Sequence, residues 1–269
     1  MKVYITVDME GVSGIVGSEQ TSPGGHGYDL ACKLMTEEAN AAILGARAGG
    51  ASEVLVNDSH GSMRNLLIDD LDSWADLISG SPKPSGMMEG LDDSFGVAFF
   101  IGYHARAGTE NAILDHTYSG KVVAHVELNG KPVGEIGLNA ALAGTYGVPV
   151  GLVTGDQAAT EEARALLGPN LKTVTVKRAV GNQAAICLHP EEAQSLIRQA
   201  ADEALGAAVA PMLLDGPPVL RVRLKSSLMA DYASLIPGSR RLDGYTLEYT
   251  HEDYLTVYRV FRAMVRLAS

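Results

Sequence analysis

Three short apolar runs, each ending in side chains that can ligate a metal, constrain this chain more than any other feature. Residues 2–7 lead into Asp8-Met9-Glu10-Gly11, residues 54–56 into Asn57-Asp58-Ser59-His60, and residues 99–101 into Gly102-Tyr103-His104. Between the first two runs lies a helical pattern over about residues 30–48. Its apolar stripe is Cys32, Met35, Ala39, Ala42, Ile43 and Ala46, and Gly49 and Gly50 stop it. Strand, helix and strand in repeated order predict a parallel sheet. In such a sheet the carboxyl ends of the strands share one edge, where ligands bind, so the polar ends of these runs can converge.

Further strands are expected at residues 75–78, 122–128 and 148–153, with helices over 134–146 and 158–167. Together they give an α/β core over 1–170, a mainly parallel sheet with helices on both faces. Beyond it, Leu220, Val222 and Leu224 alternate with Arg221, Arg223 and Lys225. That is the period of a sheet with one wet face, and it predicts a smaller C-terminal α+β subdomain over 171–269, separate from the core or integrated with it. Its other strands fall at 173–176 and 246–249, and its helices at 190–208 and 251–267. Thr250 and Asp253 form an approximate capping box that places His251 and Glu252 in the first turn of the last helix. There is no internal repeat, and Gly216-Pro217-Pro218 is a turn.

With 269 residues and 46% hydrophobic side chains, the chain can bury a substantial core. Its 32 acidic against 21 basic residues give a formal charge of −11, so no basic field exists to gather nucleic acid or an anionic membrane. No run approaches membrane-spanning length, and the N-terminus lacks the long uncharged stretch of a signal peptide. Cys32 and Cys187 offer neither a disulfide framework nor a CxxC knuckle, which fits a reduced, cytoplasmic setting.

An isolated Asp-x-Glu after a strand is ordinarily an acidic turn, and an isolated loop histidine ordinarily makes only a hydrogen bond. Recurrence at equivalent strand ends favours a metal site of Asp8, Glu10, His60 and His104 instead. Glu135 is a fifth candidate. It lies in the first turn of a predicted helix, where stabilisation by the helix dipole is the ordinary explanation. Three carboxylates and two imidazoles suffice for two divalent ions if one carboxylate bridges. Zinc is the first choice, with manganese, cobalt and ferrous iron compatible. Such a pair activates water and polarises a carbonyl. His116, in the polar stretch Leu114-Asp115-His116-Thr117, can supply the group that moves a proton or attacks; the alternative is a surface histidine beside an acid.

Candidate substrate contacts are His26, in a glycine-rich loop after the first strand, Arg106, which can pair with a peptide carboxylate, and Asn139. Met87 and Met88 could line a pocket, while His125 and His189 read as structural. The chain has no HExxH, no GxSxG, no P-loop and no dinucleotide-binding glycine motif.

The order and spacing of Val7-Asp8-Met9-Glu10-Gly11, Met35-Thr36-Glu37-Glu38-Ala39-Asn40, Val56-Asn57-Asp58-Ser59-His60, Glu89-Gly90-Leu91-Asp92-Asp93, Gly102-Tyr103-His104-Ala105-Arg106-Ala107 and Pro132-Val133-Gly134-Glu135-Ile136-Gly137-Leu138-Asn139 resemble the zinc-dependent D-aminopeptidases of the dipeptide-operon type. The specific motifs lie within residues 1–155. Thr6 stands where that family typically has Ser, and the loop before His116 differs in composition. The resemblance implies that Asp8, Glu10, His60, His104 and Glu135 are zinc ligands with Asp8 bridging, and that His116 is the catalytic nucleophile or base. It also implies a ring-built homo-oligomer, with a decamer one possible size, around an internal chamber. The expected activity is release of N-terminal, D-configured amino acids from short peptides or aminoacyl amides. Alternatives are another dinuclear amidase or esterase, and a non-catalytic, metal-containing peptide-binding protein.

Overall fold

The computed structural model describes residues 1–269. In chain order the elements are β1 (Lys2–Val7), α1 (Tyr28–Ala48), β2 (Glu53–Asp58), β3 (Ala75–Ile78), β4 (Phe95–Tyr103), β5 (Val123–Leu128), β6 (Lys131–Pro132), α2 (Glu135–Thr145) and β7 (Val150–Asp156). There follow α3 (Gln157–Leu167), β8 (Lys172–Gly181), β9 (Ala184–Cys187), α4 (Pro190–Ala204), β10 (Val219–Leu224), α5 (Ser227–Ala233), β11 (Arg240–Arg241), β12 (Thr246–Thr250) and α6 (Tyr254–Leu267).

The first sheet has the order β3-β2-β1-β4-β7-β8-β9 and is parallel except for its β9 edge. Alternation along β1 decides how it is covered. Val3, Ile5 and Val7 pack with the apolar stripes of α1 and α4, while Tyr4 points to the opposite face. Burying each such aliphatic side chain contributes about 1.5–3 kcal/mol. The opposite face is covered by α2, α3, α6 and the inner side of the second sheet. Helix α2 lies wholly in this layer, so nearly every residue along it is buried.

The second sheet, β11-β12-β10-β5-β6, is antiparallel. It recruits β5 from the first half of the chain, whereas the sequence suggested that this strand continues the parallel core. The reason is its wet face: Val126 and Leu128 point inward while His125 and Glu127 stay in partial contact with water, matching the alternation of β10. Arg221 is paired with Glu127 across the two strands. Conversely, β8 and β9 extend the first sheet, so a boundary at residue 170 does not coincide with the division between the sheets.

The last helix also starts later than expected. Asp253 is itself the N-cap, accepting from the amides of Leu255 and Thr256, so His251 and Glu252 lie outside the helix. His189 caps α4, with Pro190 in its first turn. Strands β6, β9 and β11 and helix α5 were not foreseen; each is short, and β9 and β11 are held by hairpin pairing.

Candidate metal centre

The strand order reverses between β1 and β4, the place where open α/β sheets bind ligands. Asp8 follows β1 and His104 follows β4. Their approach depends on two glycines. A Cβ on Gly11 would collide with the Tyr103 carbonyl, and one on Gly102, whose φ is +68°, would collide with the Asp8 carbonyl. Hydrogen bonds from the Asp8 amide to the Ile101 carbonyl (2.8 Å) and from the Gly11 amide to the Gly102 carbonyl (2.8 Å) close the junction.

Two residues beyond β2, His60 is held by its neighbours. Asp58 accepts from the Asn65 and Leu66 amides, and the Asn65 side chain donates to the His60 carbonyl (2.7 Å). Glu135 is the first residue of α2. The structure therefore gathers Asp8, Glu10, His60, His104 and Glu135, all buried, with His116 beside them and 20% exposed.

The two oxygens of Asp8 face different imidazoles. Oδ1 lies 3.2 Å from His60 Nδ1, which is also 2.9 Å from Glu10 Oε2. Oδ2 lies 3.4 Å from His104 Nε2, which is also 3.3 Å from Glu135 Oε1. The cluster thus divides into two triads sharing Asp8. His116 stacks on His104, with ring centroids 4.0 Å apart, and its Nε2 is 3.7 Å from Glu135 Oε1.

Each imidazole is anchored through its other nitrogen. His60 Nε2 donates to the Thr21 carbonyl (2.7 Å), His104 Nδ1 to the Ala105 carbonyl (2.9 Å) and His116 Nδ1 to the Leu114 carbonyl (2.9 Å). A carbonyl can only accept, so these nitrogens hold the protons and the inward-facing ones present lone pairs when the rings are neutral. Asp8 Oδ2, Glu10 Oε2 and His104 Nε2 are buried without a hydrogen-bond partner. Buried acceptors facing acceptors need a cation, so the donor set fits divalent metal.

The electrostatics agree. Burial, reinforced by the negative charge of Glu10, pushes Asp8 up to about 7. Burial also opposes charge on Glu10 and on both inner imidazoles. His60 and its neighbouring imidazoles nevertheless hold Glu10 well below the carboxylate range, while Glu10 and Asp8 push His60, and Glu135 and Asp8 push His104, well above theirs.

Lys177 was not anticipated as part of the support. Its buried ammonium donates to the carbonyls of Glu10 (2.5 Å), Val12 (2.7 Å) and Ile15 (2.5 Å), fixing the turn that presents Glu10. Glu38 accepts from the Ser13 amide (2.8 Å) in the same turn. Burial pushes Lys177 down to about 8 and Glu38 up to about 7. The only sequence signal for Lys177 is a charged residue next to the buried Val174 and Val176 of β8.

The three candidate substrate contacts separate. His26 is exposed on the loop that follows Thr21, and Arg106 is partly exposed with its guanidinium 3.4 Å from Glu162. Asn139 does not meet the expectation: it is fully buried, its amide donating to the Tyr103 hydroxyl (3.0 Å) and accepting from that of Tyr258 (2.7 Å). Met87 and Met88 are core residues beneath the centre. A hollow of about 510 Å³ lined by Lys2, Glu53, Trp74 and Asp92 sits at the opposite rim and shares no residue with the cluster.

The chain is similar to known proteins over nearly its full length. A family described as D-aminopeptidase matches residues 1–263. The D-aminopeptidase of Bacillus subtilis (strain 168) is 42% identical over 271 aligned positions, covering 100% of this chain and 98% of the relative. Among solved structures, the Zn-dependent D-aminopeptidase DppA from Bacillus subtilis, described as a self-compartmentalizing protease, matches with a TM-score of 0.96 and 41% identity. That match covers 100% of this chain and 98% of the other.

Proposed function

The chain belongs to the D-aminopeptidase family, and from that premise we propose that it is a two-zinc aminopeptidase releasing N-terminal D-amino acids from short peptides or aminoacyl amides. The observation that carries this reading is the division of Asp8 between two triads, with Glu10 and His60 on one side and His104 and Glu135 on the other. Each triad offers three protein ligands and leaves a position open, the pattern of catalytic rather than structural zinc. When bound, two zinc ions supply Lewis acidity toward water and toward a peptide carbonyl.

The chain's own residues do the rest. Asp8 bridges. The Thr21 and Ala105 carbonyls keep His60 and His104 in the tautomers that offer lone pairs inward. His116 is the most exposed of the six side chains, and its Nε2 is free because Nδ1 is anchored to Leu114. It accepts the proton of the attacking water at Nε2 and returns it to the leaving amine. The acidic surroundings suit a substrate's free ammonium group, and Arg106 with His26 remain the candidates for contact with the rest of the peptide. Asn139 is assigned to the scaffold beneath the site.

Self-assembly into an enclosed particle, supported by the description of the DppA structure as self-compartmentalizing, would limit access to short peptides, and a decameric ring is the candidate form. No helix is long and apolar enough to cross a membrane, and a cytoplasmic setting is proposed from the unpaired cysteines.

The test pairs elemental analysis with a panel of D- and L-aminoacyl amides. Two zinc ions per chain and preferential cleavage of D-substrates are expected; full turnover by metal-free protein would end the reading. A second reading has its own support, because ligand atoms of His104, His116 and Glu135 lie within 4.8 Å of one another. His116 would then be a metal ligand, and His116→Ala would lose zinc together with activity.

A further inference from the structure

The loop between β4 and β5 holds His116 between two residues in the left-handed backbone region, Leu114 (φ 50°) and Tyr118 (φ 58°). Neither has a short polar side chain that eases this conformation, so the surroundings must impose it. Both are used at the site. The Leu114 carbonyl anchors His116 Nδ1, and the Tyr118 amide donates to Glu135 Oε1 (2.7 Å).

Leu114 is fixed by the β8–β9 hairpin, its amide donating to the Asn182 carbonyl (2.9 Å). Tyr118 is fixed from much farther along the chain. Its ring packs edge-on against Phe261 of α6, with centroids 5.0 Å apart and planes at 87°, and its hydroxyl meets that of Tyr258 on the same helix. Tyr258 in turn donates to Asn139 Oδ1, and Asn139 Nδ2 donates to the Tyr103 hydroxyl. Tyr103 reaches Thr6 (3.0 Å), and Thr6 reaches Ser59 (2.6 Å), the residue before His60. The Tyr118 hydroxyl also reaches Asn139 Oδ1 (3.2 Å), so one tyrosine donates to the other and the pair together serves Asn139; from there each group has one proton to give and a single direction satisfies the chain, Asn139 to Tyr103 to Thr6 to Ser59.

We propose that Tyr258, on the C-terminal helix, is a positioning residue for catalysis: through its contact with the Tyr118 hydroxyl it fixes the turn that aims His116 and orients Glu135. This rests on the reading of His116 as the proton carrier. Tyr258 touches neither substrate nor metal, and its effect falls on turnover rather than on binding.

The test uses the full-length, zinc-loaded protein. Tyr258→Phe removes one oxygen and keeps the ring, and is expected to lower kcat about tenfold or more while KM changes less than about twofold and zinc content is unchanged. Tyr118→Phe removes the same contact from the other side and should match it. The double variant should lose clearly less than the sum of the two, because the Tyr118–Tyr258 contact is deleted in all three and only the separate bonds to Asn139 differ. Tyr254→Phe is the control. It loses a buried hydrogen bond from the same helix, to the Leu138 carbonyl, but none leading to the loop, and kcat should stay as in the wild type.

Wild-type kcat in either Tyr258→Phe or Tyr118→Phe would overturn the proposal, as would an equal loss in Tyr254→Phe or additive losses in the double variant. Should one Phe variant fail to fold, the other decides. His116→Ala is measured beside them. Full activity there removes the reading of His116, whereas wild-type kcat in Tyr258→Phe removes only the positioning role.

Discussion

The two triads that share Asp8 are supported in contrasting ways. Around Glu10 and His60 the braces are ionisable and buried: Lys177 gathers three carbonyls of the β1 turn, and Glu38 holds the Ser13 amide. Around Glu135 and His116 they are neutral: Tyr118, Tyr258 and Asn139 join through hydroxyls and an amide, and Phe261 packs on Tyr118. The first triad grows out of strand ends that the sheet already fixes. The second combines a strand end with a helix start and lies against the long loop of His116, which α6 steadies from the core between the sheets. A ligand on a strand end needs its turn pinned, whereas a group on a loop needs a distant surface to hold it.

The sharpest way to break this comparison is to remove a candidate ligand from one side only. His104→Ala takes a ligand from the Glu135 triad next to the shared Asp8, and it should abolish turnover and lower zinc content together. His116→Ala comes next. Zinc content should stay at the wild-type level while kcat falls by about 10² to 10⁴, the usual worth of a general acid or base. Metal analysis beside the rate separates the two variants, and zinc loss in His116→Ala would make it a ligand.

The contrast in braces predicts smaller effects on stability. Lys177→Met keeps the volume of the side chain but strands buried carbonyls, at a cost of about 3–5 kcal/mol of unfolding free energy. Denaturant unfolding of the metal-free protein checks it, and an unchanged midpoint would show that water replaces the ammonium. Glu38 gives the mildest signal. Its folded-state pKa, pushed up by burial to about 7, lies above its unfolded value near 4.5. The folded state therefore binds the extra proton between these values. Its contribution is fully present below about pH 4.5 and is lost as pH rises through 7, on the order of 1–3 kcal/mol. Glu38→Gln should flatten that part of the stability profile between pH 5 and 8; an identical slope would assign the dependence to other groups.

Much of the centre was legible in the sequence because strand ends in a parallel sheet are forced onto one edge. Asp8, Glu10, His60 and His104 follow directly from that rule. Glu135 was weaker, since any helix start welcomes a carboxylate. Asn139 was misplaced because its turn of α2 faces inward, which no local pattern announces in a helix buried on all sides. Tyr118 and Tyr258 carried no signal at all. They are 140 positions apart, and a tyrosine in a loop and one on an apolar helix stripe each have an ordinary explanation.

Local sequence by itself determined the order of the main strands and helices, the covered and wet faces, and which ligand-type side chains end the parallel strands, because periodicity and strand polarity act over a few residues. Tertiary structure alone decided that β5 joins the antiparallel sheet, that Lys177 closes the β1 turn, and that α6 reaches the loop of His116. These depend on which surfaces meet once the chain has closed on itself, and no short stretch of residues contains that information.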